Sequence, residues 1–218
     1  MSYQSIGKGV VKRSEKRVVG LFIDGTGLDR ATRRINRKVE LANLVRGVTS
    51  GVTPVVARYY TIVPYEDDSR QRAFLDAVSR AGLRVIVKRL PPKGVSRQVS
   101  IDPEMSADIV AFALGHSTFS DLSEWKPDNR DFSRDSSTAA DSEAAEEPAP
   151  AGARSGLPEK RSVIAVCPSR DIAYALSLVK ELNVDTVNAD FSQLHGGDVL
   201  KSAAKWIDLS TSETIWRA

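Results

Sequence analysis

The feature that most constrains this chain is residues 17–28, RVVGLFIDGTGL. An apolar, β-branched run, 18–23, ends in a carboxylate, Asp24, and Gly25-Thr26-Gly27 follows at once. The run is short and glycine-bounded, which predicts a buried strand over 17–24. An Arg-rich, helix-like segment comes next. Strand, acid, tight turn and helix put one charged group at the C-terminal edge of a sheet, where open α/β sheets keep their sites. The remaining acids matter according to whether they arrive at that edge.

The rest of the chain repeats the alternation. Ile35, Val39, Leu41, Ala42 and Val45 recur at spacings near three and four, with Arg30, Arg33, Arg34, Arg37 and Lys38 on the other side. That pattern predicts one helix over 28–48. A second strand is expected at 53–63, TPVVARYYTIV, ended by Pro64, then a helix over about 70–81 that stops at Gly82. LRVIVKRL, 83–90, reads as a third strand and the PPKG after it as a loop. Asp102-Pro103 predicts a helix N-cap with Pro at the first helical position, the helix running to Gly115. Beyond residue 160, strands are expected at 162–167, 184–189 and 206–209, and helices at 169–182 and 191–204. Strands alternating with helices imply a mostly parallel sheet covered on both faces.

Residues 117–160 break this rhythm. They are rich in Ser, Asp, Glu, Ala and Pro, and SSTAADSEAAEEPAPAGARSG is too poor in apolar surface to fold alone. A disordered acidic insertion is expected there, with Trp125 and Phe132 as candidates to dock on the body. Residues 1–16 read as a flexible basic tail. The domain is then 17–116 joined to 161–212. A chain of 218 residues suits one core with such an insertion.

No apolar run approaches the roughly 20 residues that span a bilayer, and the polar, basic N-terminus lacks the apolar stretch of a signal peptide. Cys167 is the only cysteine, which excludes an internal disulfide and favours a reducing, cytoplasmic setting. Residues 119–160 hold ten acids and five bases, which leaves 18 acids against 26 bases elsewhere. A basic body beside an acidic insert suits a nucleic-acid partner met through phosphates.

Four acids are candidates for one site. Asp24 ends the first strand. Asp102 and Asp108, six apart, lie in the first turns of a helix. Asp171 follows the fourth strand. A group of carboxylates with little else suits Mg²⁺ or Mn²⁺, hard cations that take oxygen ligands and keep several waters. Such an ion can activate water for attack on a phosphodiester. Against this, an Asp at a helix start is commonly a cap worth about 1 kcal/mol. That bland reading weighs on Asp102 and Asp171 more than on Asp24, which ends a buried strand.

These residues resemble a family. LFIDGTGL is similar to the opening strand of NYN domains, the PIN-like nuclease group that includes the LabA-like proteins, where it is written FIDGxNL. SIDPEMSAD places Asp102 and Asp108 at the spacing of the family's KGVD…D pattern. CPSRDI matches SGDSDF, with Asp171 at the second Asp, and ALSLVKELNVDTV is similar to the helix and strand that follow. The resemblance covers 17–209 apart from the insertion. It implies a three-layer α/β/α PIN-like, Rossmann-like fold with a mostly parallel central sheet. It also implies a Mg²⁺- or Mn²⁺-dependent ribonuclease with Asp24, Asp102, Asp108 and Asp171 as catalytic residues. Asp24, Asp108 and Asp171 would be the metal ligands, and Arg30, Arg33, Arg34 and Ser169 the contacts to RNA. The pattern departs in three places: Gly27 stands where the family has Asn, Ser169 replaces the first Asp of SGDSDF, and Val99-Ser100 stand where the second motif has Lys-Gly. The departures support an alternative, a catalytically impaired NYN-type module that binds RNA or protein.

Other readings are weaker. FIDGTG is similar to a haloacid-dehalogenase motif, but Phe22 stands where that chemistry needs its nucleophilic Asp. The Gly25-Thr26-Gly27 turn lacks the third glycine of a dinucleotide loop, Arg30 being in its place. His116 and His195 are too few for a zinc site, and Cys167 reads as core. Tyr59 and Tyr60, adjacent in a strand, are expected to pack on opposite faces of the sheet. Residues 117–160 could recruit a protein partner, and an exposed sheet edge could pair subunits into a homo-oligomer.

Overall fold

Short apolar runs separated by helices assemble into a six-stranded sheet in which every neighbouring pair is parallel. The structure is a computed structural model that describes residues 16–66, 69–116, 119, 123–126, 159–193 and 197–217. In chain order the elements are β1 (Lys16–Asp24), α1 (Gly25–Arg34), α2 (Leu41–Val48), β2 (Val56–Val63), α3 (Ser69–Arg80), β3 (Arg84–Arg89) and α4 (Asp102–Ala113). Then come β4 (Glu159–Val166), a 3-10 turn (Arg170–Ile172), α5 (Ala173–Glu181), β5 (Asp185–Asp190), α6 (Gly197–Ser202), β6 (Lys205–Asp208) and a closing 3-10 turn (Leu209–Thr211).

The strand order is β3-β2-β1-β4-β5-β6. The chain winds outward from β1, then returns to lay β4 on β1's other side and winds outward again. β1 and β4 are therefore the innermost strands, in register from Lys16 opposite Glu159 to Ile23 opposite Val166. One face of the sheet carries Leu28 and Ala31 of α1, Leu44 and Val48 of α2, and Leu75 and Val78 of α3. The other carries Met105, Ile109 and Phe112 of α4 and Leu176 and Val179 of α5. This is the expected three-layer α/β/α arrangement. Tyr59 packs on the first face and Tyr60 on the second, as alternation along a strand requires. At Gly20 α4 lies so close to β1 that a Cβ there would sit 2.8 Å from the Phe112 ring.

The single helix expected over 28–48 is two helices. α1 ends at Arg34, and Asn36 takes a left-handed conformation at φ 51°. Val39 then forms an antiparallel bridge with Trp216. The Glu40 N–H donates to the Ile215 carbonyl and the Arg217 N–H to that of Lys38, each at 2.8 Å. The intervening segment is thus drawn out by the C-terminus, a partner no local pattern reveals. Smaller differences follow the same rule. β4 begins at Glu159, three residues before the expected strand, because it continues to pair with β1 down to Lys16, which belongs to β1 and not to a tail. α6 is much shorter than the helix expected over 191–204.

Only residues 119, 123–126, 159 and 160 of the expected insertion are described. Its expected disorder, Phe132 and His195 lie outside the described residues, as does the expected tail apart from Lys16. Trp125 docks as anticipated: it is buried, and its N–H donates to the Val85 carbonyl at 2.8 Å while the Val87 N–H donates to Ser123. Glu124 bridges Ile86 antiparallel, so this short piece covers the outer edge of β3. Replacing Trp125 by Ala should lower stability by about 3 kcal/mol. Urea unfolding would check it, and a loss within about 0.5 kcal/mol would mean that the edge cover contributes nothing.

Candidate active site at the crossover between β1 and β4

In a sheet wound both ways from its centre, the helices that leave the two inner strands depart to opposite faces, and a crevice opens above those strands' C-terminal ends. Asp24 is the last residue of β1 and stands in that crevice, 4% exposed. Its carboxylate caps α1, with Oδ1 accepting from the Gly27 N–H at 2.8 Å. The acid least expected to be a cap is thus one.

Asp102 reaches the same crevice from α4. Ile101 occupies the N-cap position and Asp102 the first helical position, so Asp102 is not the cap expected from the Asp-Pro pair. Ser100 takes over that role: its Oγ accepts from the Asp102 N–H at 3.0 Å and donates to Asp102 Oδ2 at 2.5 Å. On the other side Ser169, in the turn after β4, donates its hydroxyl to Asp102 Oδ1 at 2.6 Å. Asp102 is therefore gripped by a hydroxyl on each oxygen, and the β3–α4 and β4–α5 connections meet on it.

Burial pushes the Asp24 carboxyl up to about 6, and the Asp102 charge adds to the rise, while the Gly27 and Thr26 N–H groups and the Arg30 guanidinium act against it. Among the described residues, neither Asp24 nor Asp102 forms a salt bridge. Two carboxylates, facing hydroxyls and bound in no described salt bridge, form a hard-oxygen donor set. That set fits a hydrated divalent ion, which needs few protein ligands and keeps its waters.

The other two acids have different surroundings. Asp108 accepts hydrogen bonds at Oδ2 from Arg58 Nη1 and, at 2.6 Å, from Tyr60 Oη. Arg58 is buried and stacks over Phe119 at 4.6 Å, so Asp108's charge is met inside the α4 face of the sheet. Asp171 is exposed, in the 3-10 turn that precedes α5. Among the described residues no three His, Cys, Asp or Glu side chains lie close enough to share a metal ion. Of the three bases on α1, all exposed, Arg33 is paired with Asp29 at 3.0 Å, and Arg30 stands near enough to act on Asp24.

Two further features escaped the sequence reading. Asp190 ends β5 as Asp24 ends β1, and is likewise buried. It accepts from the Phe191 N–H at 2.7 Å and hydrogen-bonds the Cys167 thiol. The signal was present in VNAD, an apolar strand closing on an acid, but the strand was expected to stop at Ala189. Cys167 is core as read, its thiol pushed up by burial and by Asp190. Its backbone matters more. Cys167 is left-handed at φ 48°, and a Cβ at Gly27 would lie 2.3 Å from its carbonyl oxygen. Gly27 is thus required by the close approach of the β4 turn to α1, and no side chain fits there without moving that turn.

A doubly wound parallel α/β domain with paired carboxylates at its crossover is the class that fold and site define. Residues 18–123 match the family model of the NYN domain, a family grouped in the PIN-like superfamily. The match takes in Asp24, Asp102 and Asp108 and ends before Ser169 and Asp171. Nucleases of this grouping generally use divalent metals, and NYN domains generally bind RNA. The fold is similar to the crystal structure of a protein of unknown function from Vibrio parahaemolyticus RIMD 2210633, with a TM-score of 0.64 and 12% identity over 95% of this chain and 100% of that one. No curated protein matches the chain. Among the described residues no helix is long and apolar enough to cross a membrane.

Two outcomes follow. The folded Asp24 carboxyl keeps its proton to about 6, whereas the unfolded one releases it near 3.8, so metal-free stability falls as pH rises through that window. The full effect is at most about 3 kcal/mol. Asp24→Asn, which keeps a capping oxygen, should be more stable than the native chain at neutral pH, and the gain should vanish near pH 4. Urea melts at several pH values in EDTA read this, and a gain independent of pH would contradict the cause assigned. Asp108→Ala should instead cost about 3 kcal/mol at neutral pH, because a buried guanidinium loses its carboxylate. A loss below about 1 kcal/mol in the same melts would count against that role.

Proposed function

We propose that the chain is a metal-dependent ribonuclease of the NYN type with a reduced acidic site. The observation that carries this reading is the approach of Asp24 and Asp102 at the crossover, two carboxylates close enough for the Asp102 charge to add to the rise of the buried Asp24 carboxyl, with no salt bridge to either among the described residues. Such an arrangement opposes folding, and perturbed carboxylates in a crevice are a feature of functional sites. Asp24 and Asp102 would hold one Mg²⁺ or Mn²⁺. Bound there, the ion supplies an activated water and neutralises charge on the scissile phosphate. Ser100 and Ser169 fix the orientation of Asp102. Arg30 and Arg34, exposed on the helix that starts at Asp24, offer charge to the RNA backbone, with Arg33 partly spent on Asp29. Asp171 stands exposed at the rim, and Asp108 supports the site from within α4. A reducing cytoplasm suits the lone, buried Cys167.

A second reading has its own observation. Ser169 supplies a hydroxyl in the position where the resemblance expects a carboxylate, and Arg58 and Tyr60 occupy Asp108. On this reading the domain binds RNA or a protein without cutting. Labelled single-stranded RNA with Mn²⁺ separates the two. The ribonuclease reading expects cleavage that drops about 100-fold or more in Asp24→Asn and Asp102→Asn, consistent with the loss of a metal ligand. Binding without cleavage by the native chain would establish the second reading, and equal cleavage by all three proteins would point to a contaminant and remove the first.

A further inference from the structure

A single ammonium group holds both flanks of Asp102. The connection between β3 and α4, residues 90–101, contains no helix or strand, begins Leu-Pro-Pro-Lys-Gly and is mostly exposed. A loop of that kind does not by itself aim a side chain to within a few tenths of an ångström. Lys88, the penultimate residue of β3, reaches over to its far end. Its Nζ donates to the Ser100 carbonyl at 2.7 Å and pairs with Glu104 Oε1 at 2.7 Å. Ser100 lies two residues before Asp102 and Glu104 two residues after. Ser100 is also the residue whose hydroxyl donates to Asp102 Oδ2.

We infer that Lys88 is a positioning residue for Asp102, acting through Ser100. The inference rests on the metal-site reading above for its consequence, but not for its geometry. The sheet is the rigid part of the molecule, and the Lys88 side chain, 29% exposed, transfers that rigidity to the loop end. Ser100 then presents its hydroxyl to one oxygen of Asp102 while Ser169 presents another from the opposite side. A simple rim ion pair between Lys88 and Glu104 would be worth little. What distinguishes the present arrangement is the contact with the Ser100 carbonyl, which ties the turn ahead of the helix.

The test compares the native chain with Lys88→Met and Lys88→Arg. Calorimetric titration with Mn²⁺ measures metal affinity, and amide hydrogen exchange over residues 100–104 measures the loop end in EDTA. Lys88→Met should weaken Mn²⁺ binding about tenfold, the scale for loss of a group that orients a ligand. It should also speed exchange at those amides about fivefold or more. Lys88→Arg, which keeps the charge and the donors, should stay within about twofold on both. Native Mn²⁺ affinity and exchange in Lys88→Met would overturn the inference, as would equal losses in Lys88→Met and Lys88→Arg. If the native chain binds no Mn²⁺, the ribonuclease reading fails, and exchange alone decides on Lys88: faster in Lys88→Met sustains it, unchanged rejects it. Should Lys88→Met not fold, Lys88→Gln takes its place under the same criteria.

Discussion

The rest of the molecule depends on the parallel pairing of β1 with β4. Because β4 returns to the far side of β1 instead of extending the first row of strands, the sheet has a centre, and the chain leaves that centre in two directions. α1 departs to one face and α5 to the other, so neither helix covers the ends of β1 and β4 from directly above. Asp24 sits at the end of one inner strand and the Cys167–Ser169 turn at the end of the other. A sequence that closes an apolar strand on an aspartate at that place accepts burial of the charge, and the upward shift of the Asp24 carboxyl is the physical sign of that burial.

The same helix shows both ways a protein treats a carboxylate near its core. Asp108, well inside α4, meets Arg58 and Tyr60 from β2, and its charge is balanced. Asp102, at the start of the helix, meets hydroxyls and another acid, and no salt-bridge partner among the described residues. Hydroxyls orient a carboxylate without cancelling its charge, so Asp102 stays a strong oxygen donor while remaining fixed. A charge left uncompensated in one place and neutralised six residues away is hard to attribute to folding stability alone. The two stand at the spacing of a single motif, yet only Asp108 is paired with a cation.

What the sequence disclosed follows from this difference. The strands, their parallel alternation and the acid ending the first strand are local patterns, legible because apolar runs and glycine stops act within a few residues. The break between α1 and α2 was not legible, because the C-terminal residues that draw Val39 and Glu40 out lie far along the chain. Asp108 looked like Asp102 for the same reason: its partners, Arg58 and Tyr60, lie about fifty residues away and read as ordinary strand residues. Asp190 could have been found by applying to β5 the rule that singled out Asp24. The clamp on Asp102 could not, since serines before a helix and in a turn are commonplace and only their convergence on one carboxylate gives them meaning.

Gly27 gives the last step. Set beside a family pattern, a glycine where Asn is expected reads as a loss. In the folded chain it is the clearance that admits the Cys167 carbonyl, held by a left-handed residue that is not glycine and so costs roughly 1 kcal/mol or more to keep. Gly27 and the Cys167 turn meet in one close approach, between the first turn of α1 and the end of β4. The turn could not close over α1 with a side chain at 27, and unless it closed, Ser169 would have no fixed route to Asp102. The substitution at 27 and the one at 169, which look like two independent erosions of an acidic site, are linked through a single backbone approach.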